Sequence, residues 1–128
     1  MNLKNSQYQA IMRQYDLRQM EHRHQQTLRY EELCNKLPAY RDLEDQIAAL
    51  YADRARAAVL GQTIQLQDML QQIQTLQHQQ RILMTRAGYP SDYLALTYTC
   101  PDCHDTGFIG DEKCHCFKQA MVDLLYRQ

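Results

Sequence analysis

The sequence predicts a mainly α-helical protein: an antiparallel helical hairpin or three-helix coiled coil, then a small cysteine-rich module and a short C-terminal helix. Three observations carry this. Apolar residues recur at helical spacing through most of the first 96 residues. All four Gly (61, 88, 107, 110) and all three Pro (38, 90, 101) fall where that periodicity breaks. Four of the five cysteines crowd into the stretch from Cys100 to Cys116. The expected divisions are residues 1–96 for the helical region, 97–117 for the module and 118–128 for the last helix.

The first helix is expected to start at Ser6, with Gln9 three residues on as a capping box that satisfies free backbone N–H groups. Tyr8, Ile11, Met12 and Tyr15 follow at helical spacing. They form either an intramolecular core stripe or a face for docking a partner. From Glu21 to Thr27 the helix is polar all round, and His22 and His24, two residues apart on different faces, are expected to be solvated. Leu28, Leu33 and Leu37 restore the stripe, and Cys34 shares a face with Tyr30 and Leu37 as a packed thiol.

Pro38 suits the first turn of a second helix, where its missing N–H costs nothing. Its apolar face is Tyr40, Leu43, Ile47, Leu50, Tyr51 and Ala55, and Gly61 fits the left-handed position that ends it. Thr63 is the expected cap of a third helix carrying Leu66, Met69, Leu70, Ile73, Leu76 and Leu83 as a near-heptad seam interrupted by Gln80. Gly88 and Pro90 stop it. Connections this short make neighbouring helices antiparallel. Ser91 to Leu96 is expected to form one helical turn and Thr97 to Thr99 an extended lead into the module. After it, Phe117, Ala120, Met121, Leu124 and Leu125 define a short amphipathic helix.

Composition narrows the function classes. Lys plus Arg (14) nearly balances Asp plus Glu (15), so no basic excess draws the chain onto a phosphate backbone. The nine tyrosines, without basic interleaving, are expected to be packing residues and not base-stacking platforms. No stretch approaches the roughly 20 apolar residues of a membrane span, and the N-terminus lacks the apolar core of a secretory signal. A cytoplasmic, reducing compartment is expected, where paired cysteines serve metal or redox chemistry better than disulfides. No P-loop, G-x-G-x-x-G, G-x-S-x-G or H-E-x-x-H motif is present, and no catalytic constellation is found.

The module reads C-P-D-C-H-D-T-G-F-I-G-D-E-K-C-H-C. A C-x2-C pair and a C-x-C pair separated by a short loop are the two halves of one tetrahedral metal site. Structural zinc is the favoured occupant, ahead of a redox dithiol, which needs a βαβ context, and of an iron–sulfur cluster. Cys100, Cys103, Cys114 and Cys116 complete a closed shell, with His104 or His115 as alternative ligands. Gly107 and Gly110 allow the chain reversals that make Phe108 and Ile109 a short hairpin arm, and Lys113, Lys118 and the following helix N-terminus offset the thiolate charge. Chelating the metal is expected to unfold Thr97 to Phe117 and to spare most of the helix.

The stretch Tyr98 to Gln119, Y-T-C-P-D-C-H-D-T-G-F-I-G-D-E-K-C-H-C-F-K-Q, resembles the cysteine motif of the DnaI/DnaC-like replicative helicase loaders of Firmicutes and their phages. The opening N-S-Q-Y-Q-A-I-M-R-Q-Y and the G-Y-P-S-D-Y-L before the module are similar to the same group. The resemblance implies that Cys100, Cys103, Cys114 and Cys116 ligate zinc, and that the region contacts the hexameric replicative helicase in the primosome. In that family a C-terminal AAA+ domain binds ATP and single-stranded DNA. This chain reaches Gln128 without a Walker motif, so it is expected to be an excised N-terminal domain or a standalone adaptor, non-enzymatic and touching DNA weakly or indirectly. Two other readings stay open: a nucleic-acid-binding zinc ribbon on a coiled-coil arm, and a coiled-coil scaffold stapled by zinc.

Overall fold

A computed structural model describes residues 3–127. It is mainly helical: α1 (Asn5–Lys36), α2 (Pro38–Val59) and α3 (Leu66–Arg86) precede a two-stranded ribbon, β1 (Phe108–Ile109) with β2 (Glu112–Lys113), and α4 (His115–Tyr126) closes the chain. Gln128, expected to end the last helix, lies outside the described residues. Two compact units form. One is continuous, Leu28–Leu94; the other joins the residues up to Thr27 to those from Ala95 onward. This grouping departs from the expected cut at residue 96, because the first half of α1 packs with the cysteine module.

In the continuous unit, α2 and α3 pack as an antiparallel hairpin. Tyr40 and Met84 share one core cluster, the Gln80 side chain donates to Glu44 Oε2 at 2.7 Å, and Ile47 packs with Met69 and Ile73. Of the two expected architectures the hairpin is the one formed. α1 joins this unit through its last turns, where Leu33 and the buried Cys34 meet Tyr40 and Met84 beside Tyr30, Tyr89 and Tyr93. Gln80 is buried, so the break in the seam is a paired polar group inside it.

Both hairpin helices end in the same way. Past α2, Gly61 (φ 69°) donates to Ala58 O and Gln62 to Ala57 O; past α3, Gly88 (φ 85°) donates to Thr85 O and Tyr89 to Met84 O. These paired bonds satisfy carbonyls that the helix leaves open, and they require a left-handed residue that glycine supplies without a Cβ penalty.

The helix starts differ from expectation. The residue preceding α1 is Lys4, two before the expected Ser6 cap, and the Gln7 side chain accepts the Lys4 backbone N–H at 2.9 Å. Gln7 stands three residues after Lys4, so it supplies the returning half of a capping box that Ser6 was expected to begin. Gln65, not Thr63, precedes α3 and makes no side-chain cap bond. Residues 91–94 form turns after Pro90 and no helix.

The other unit has a core of Ile11 and Tyr15 from α1, Phe117 and Met121 from α4, and Cys100, Cys103 and Cys114. The Tyr15 and Phe117 rings stack with centroids 6.1 Å apart, and Phe108 comes to 5.5 Å of Phe117. Tyr15 and Phe117 are almost wholly buried, so this cluster excludes water despite its size. No helix among the described residues is long and apolar enough to cross a membrane.

Candidate metal centre

The C-x2-C half-site is built by a turn of unusual backbone. After Cys103, His104 (φ 54°) and Asp105 (φ 59°) are both left-handed, followed by Gly107 at φ 86°. His and Asp tolerate this region better than most residues, yet two in succession need outside support. Asp105 supplies it: its buried carboxylate accepts the Cys100 N–H at 2.8 Å and the Thr99 N–H at 3.0 Å. The Thr106 hydroxyl donates to Cys103 O at 2.7 Å. These bonds close the turn around the two sulfurs.

The second half-site sits at the start of α4. Cys114 precedes the helix in extended conformation, and its carbonyl accepts the N–H groups of Phe117 and Lys118. The β1–β2 ribbon, paired Phe108 to Lys113 and Ile109 to Glu112, turns the chain back so that Cys114 N–H donates to Gly107 O at 2.9 Å.

The four sulfurs converge. Cys100 Sγ lies 3.8 Å from Cys114 Sγ, Cys103 Sγ lies 3.6 Å from Cys116 Sγ, and all four are within 4.8 Å of one another. A tetrahedron with metal–sulfur bonds of about 2.3 Å has edges of about 3.8 Å. The chain therefore holds four thiols at a spacing that can accept a metal ion, and three of the four are buried.

The thiols are unequal as acids. Burial opposes ionisation of Cys103, but the Gly107 backbone N–H and the thiols of Cys116, Cys100 and Cys114 outweigh it and bring the pKa down to about 7. Burial raises Cys116 to about 12; the Tyr15 hydroxyl, 2.9 Å from its sulfur, pulls the other way and Cys103 adds to the rise. Tyr15 is itself raised, by burial first and then by its bond to Cys116. A bound cation would settle the contest, because it would favour thiolate at the four cysteines and leave the Tyr15 hydroxyl to donate to sulfur.

Neither histidine completes this set. The His104 ring packs against Tyr98 with centroids 4.6 Å apart. His115 is exposed; its Nε2 is 2.7 Å from Asp102 Oδ2, a bond that raises its pKa, and 3.9 Å from Cys100 Sγ. With Cys100 and Asp102 it makes a separate donor group that shares one sulfur with the first.

None of three comparisons, with protein-family models, curated proteins and solved structures, gives a match. The site is thus argued from its own geometry.

Of the stripe Tyr8, Ile11, Met12 and Tyr15, Ile11 and Tyr15 are buried in the metal-site core and the other two pack against it. Ile11 and Tyr15 thus take the core role of the two weighed for the stripe, while Tyr8 and Met12 stay half-buried at its edge. Sequence reasoning missed His22. Expected to be solvated, it is mostly buried, with Nδ1 2.7 Å from Thr97 Oγ1 and Nε2 2.9 Å from Thr99 Oγ1. Its Nε2 is also 3.7 Å from Asp105 Oδ2, and one turn earlier Gln19 donates to Asp105 O at 2.6 Å. Gln19 and His22 of α1 therefore form the polar edge that meets the cysteine module. A Gln and a His one turn apart beside a polar-capped knuckle are the only hint the sequence offers.

Proposed function

We propose that this chain is a non-enzymatic protein-interaction domain of a replicative helicase loader, in which Cys100, Cys103, Cys114 and Cys116 hold one structural Zn²⁺. The observation that carries the zinc assignment is the convergence of four thiols within 4.8 Å of one another, three of them buried in an apolar core. Zinc takes that donor set as a closed structural site, leaving no position for a substrate water. When bound it supplies folding free energy of order 10–16 kcal/mol in small modules. Residues 97–117 present few large apolar side chains of their own.

The helicase assignment rests on the resemblance of Tyr98 to Gln119 to loader cysteine motifs, joined to a charge balance that gives nucleic acid little hold. Exposed Val59, Leu60, Ile64, Leu66 and Leu70 around the α2–α3 turn offer apolar contact area for a protein partner.

The test is direct. Zinc-loaded chain is mixed with a hexameric replicative helicase of the Firmicutes type, and separately with single-stranded DNA at low and moderate salt. Co-elution with the hexamer, weakened on chelation by the share of contact that the cysteine module supplies, is the expected outcome. Salt-sensitive DNA binding without helicase binding would replace this reading with the zinc-ribbon one, and binding to neither would leave a zinc-stapled scaffold.

A further inference from the structure

We infer a second, surface cation site that shares the Cys100 thiolate with the buried one: Cys100 Sγ, His115 Nε2 and Asp102 Oδ2 bind a borderline divalent ion such as Zn²⁺, Co²⁺ or Cd²⁺. The inference rests on the proposed occupancy of the four-thiol site. The three donor atoms lie within 4.8 Å of one another, with His115 Nε2 2.7 Å from Asp102 Oδ2 and 3.9 Å from Cys100 Sγ. They come from two elements, the first knuckle and the first turn of α4, so their convergence depends on the fold and not on local spacing.

A catalytic relay would use these groups differently. A nucleophilic Cys–His–Asp relay needs the two ring nitrogens to face opposite partners, one to the thiol and one to the carboxylate. Here Cys100 and Asp102 both face Nε2. That arrangement suits a cation placed among three donors and does not suit proton transfer along a line.

Charge and access favour the same conclusion. Four thiolates around one divalent metal leave about two negative charges, and a thiolate that bridges to a second cation offsets part of them. The His115 and Asp102 side chains are 69% and 62% exposed. They open onto a cavity of about 510 Å³ whose walls include Gln14, Arg18 and Asp123. Water has room there to complete the coordination, so this site is open where the first is closed. The sulfur, nitrogen and oxygen donors select zinc-like ions over Mg²⁺ or Ca²⁺, which favour all-oxygen shells.

The experiment is a Co²⁺ titration of the untagged, metal-free chain under reducing conditions, read in the visible region and by metal analysis after each equivalent. The first equivalent should give the intense sulfur-to-metal and d–d bands of a four-thiolate site. A second should add a distinct, weaker set of bands from mixed sulfur, nitrogen and oxygen ligands. H115A and D102N should keep the first spectrum and far-UV circular dichroism while weakening the second site by more than about tenfold. Saturation at one equivalent with a four-thiolate spectrum overturns the second site and leaves the first. A second equivalent that persists in both variants overturns it as well, since it then lies elsewhere. If no four-thiolate spectrum appears at all, it is the buried site that has failed.

Discussion

Gly107 has no room for a side chain. A Cβ there would stand 2.9 Å from Tyr15 Cε2 and 3.1 Å from Phe117 Cδ2, and its φ of 86° is one that other residues adopt at a cost. Gly107→Ala therefore combines overpacking against two buried rings with left-handed strain, together about 2–5 kcal/mol. Chemical denaturation of the metal-loaded protein should show a loss in that range, whereas Gly110→Ala, with nothing within 4 Å, should lose only the strain part. Asp105 permits a finer substitution. Asp105→Asn keeps the shape but replaces one acceptor oxygen with an NH₂ facing the N–H of Thr99 or Cys100. One buried amide then lacks its acceptor, a cost of about 1–3 kcal/mol. The variant should bind Zn²⁺ more weakly in competition with a chromophoric chelator, and unchanged affinity would show that the knuckle holds without its carboxylate.

At the scale of elements, the hairpin offers a test of how a polar group is tolerated in an apolar seam. Gln80 is 6% exposed and donates to Glu44 on the facing helix, whose own carboxylate reaches water. The two ends of this bond are not equivalent. Glu44→Ala leaves the Gln80 amide buried without that acceptor and should cost about 1–3 kcal/mol; Gln80→Leu removes the buried polar group, leaves Glu44 solvated and should be close to neutral. Urea midpoints of the single and double variants check this, and equal losses from the two single changes would refute the asymmetry. Much of this level was legible in the sequence. Gly61 and Gly88 marked the helix ends because left-handed backbone admits few other residues, and Tyr40, Ile47, Met69 and Ile73 marked the facing stripes because helical spacing fixes which side chains share a face, although Tyr51, Ala55, Leu66 and Leu70, expected on the same stripes, stay exposed. The cysteine spacing likewise revealed the four-thiol site, since ligand geometry is short-range. Periodicity says that Ile11 and Tyr15 share an apolar face but not what covers it, and His22 meets Thr97 across 75 residues of sequence. Helix starts were misplaced because Lys4 has no side-chain oxygen acceptor and Gln65 makes no side-chain cap bond, so neither carries the usual cap signal.

For the molecule as a whole, the cores predict which parts depend on metal. The cluster containing Ile11, Tyr15, Phe117 and Met121 also contains three of the four thiols, while the clusters around Leu33, Tyr40 and Met84 and around Ile47, Met69 and Ile73 contain none of the four. Removing the ion leaves buried sulfurs that repel when ionised or sit poorly paired when protonated, and the stacking of Tyr15 on Phe117 is secured by the same knuckles. Chelation should therefore release more than the expected Thr97 to Phe117. Amide exchange followed by mass spectrometry should show lost protection in residues 95–127 and also in the first half of α1, up to Thr27, with Leu28–Leu94 still protected and a partial fall in far-UV helical signal. Acid should act in the same direction, because protons compete with the metal for thiolates: as pH falls through the Cys103 value of about 7, affinity weakens and the midpoint of metal release moves to lower chelator concentration. Protection that persists up to Thr27 after complete metal removal would mean that Ile11, Tyr15, Phe117 and Met121 hold together unaided, and the ion would then be a local staple of the loop alone. Loss of protection throughout Leu28–Leu94 would make the hairpin metal-dependent, which its separate seam, holding none of the four clustered thiols, argues against.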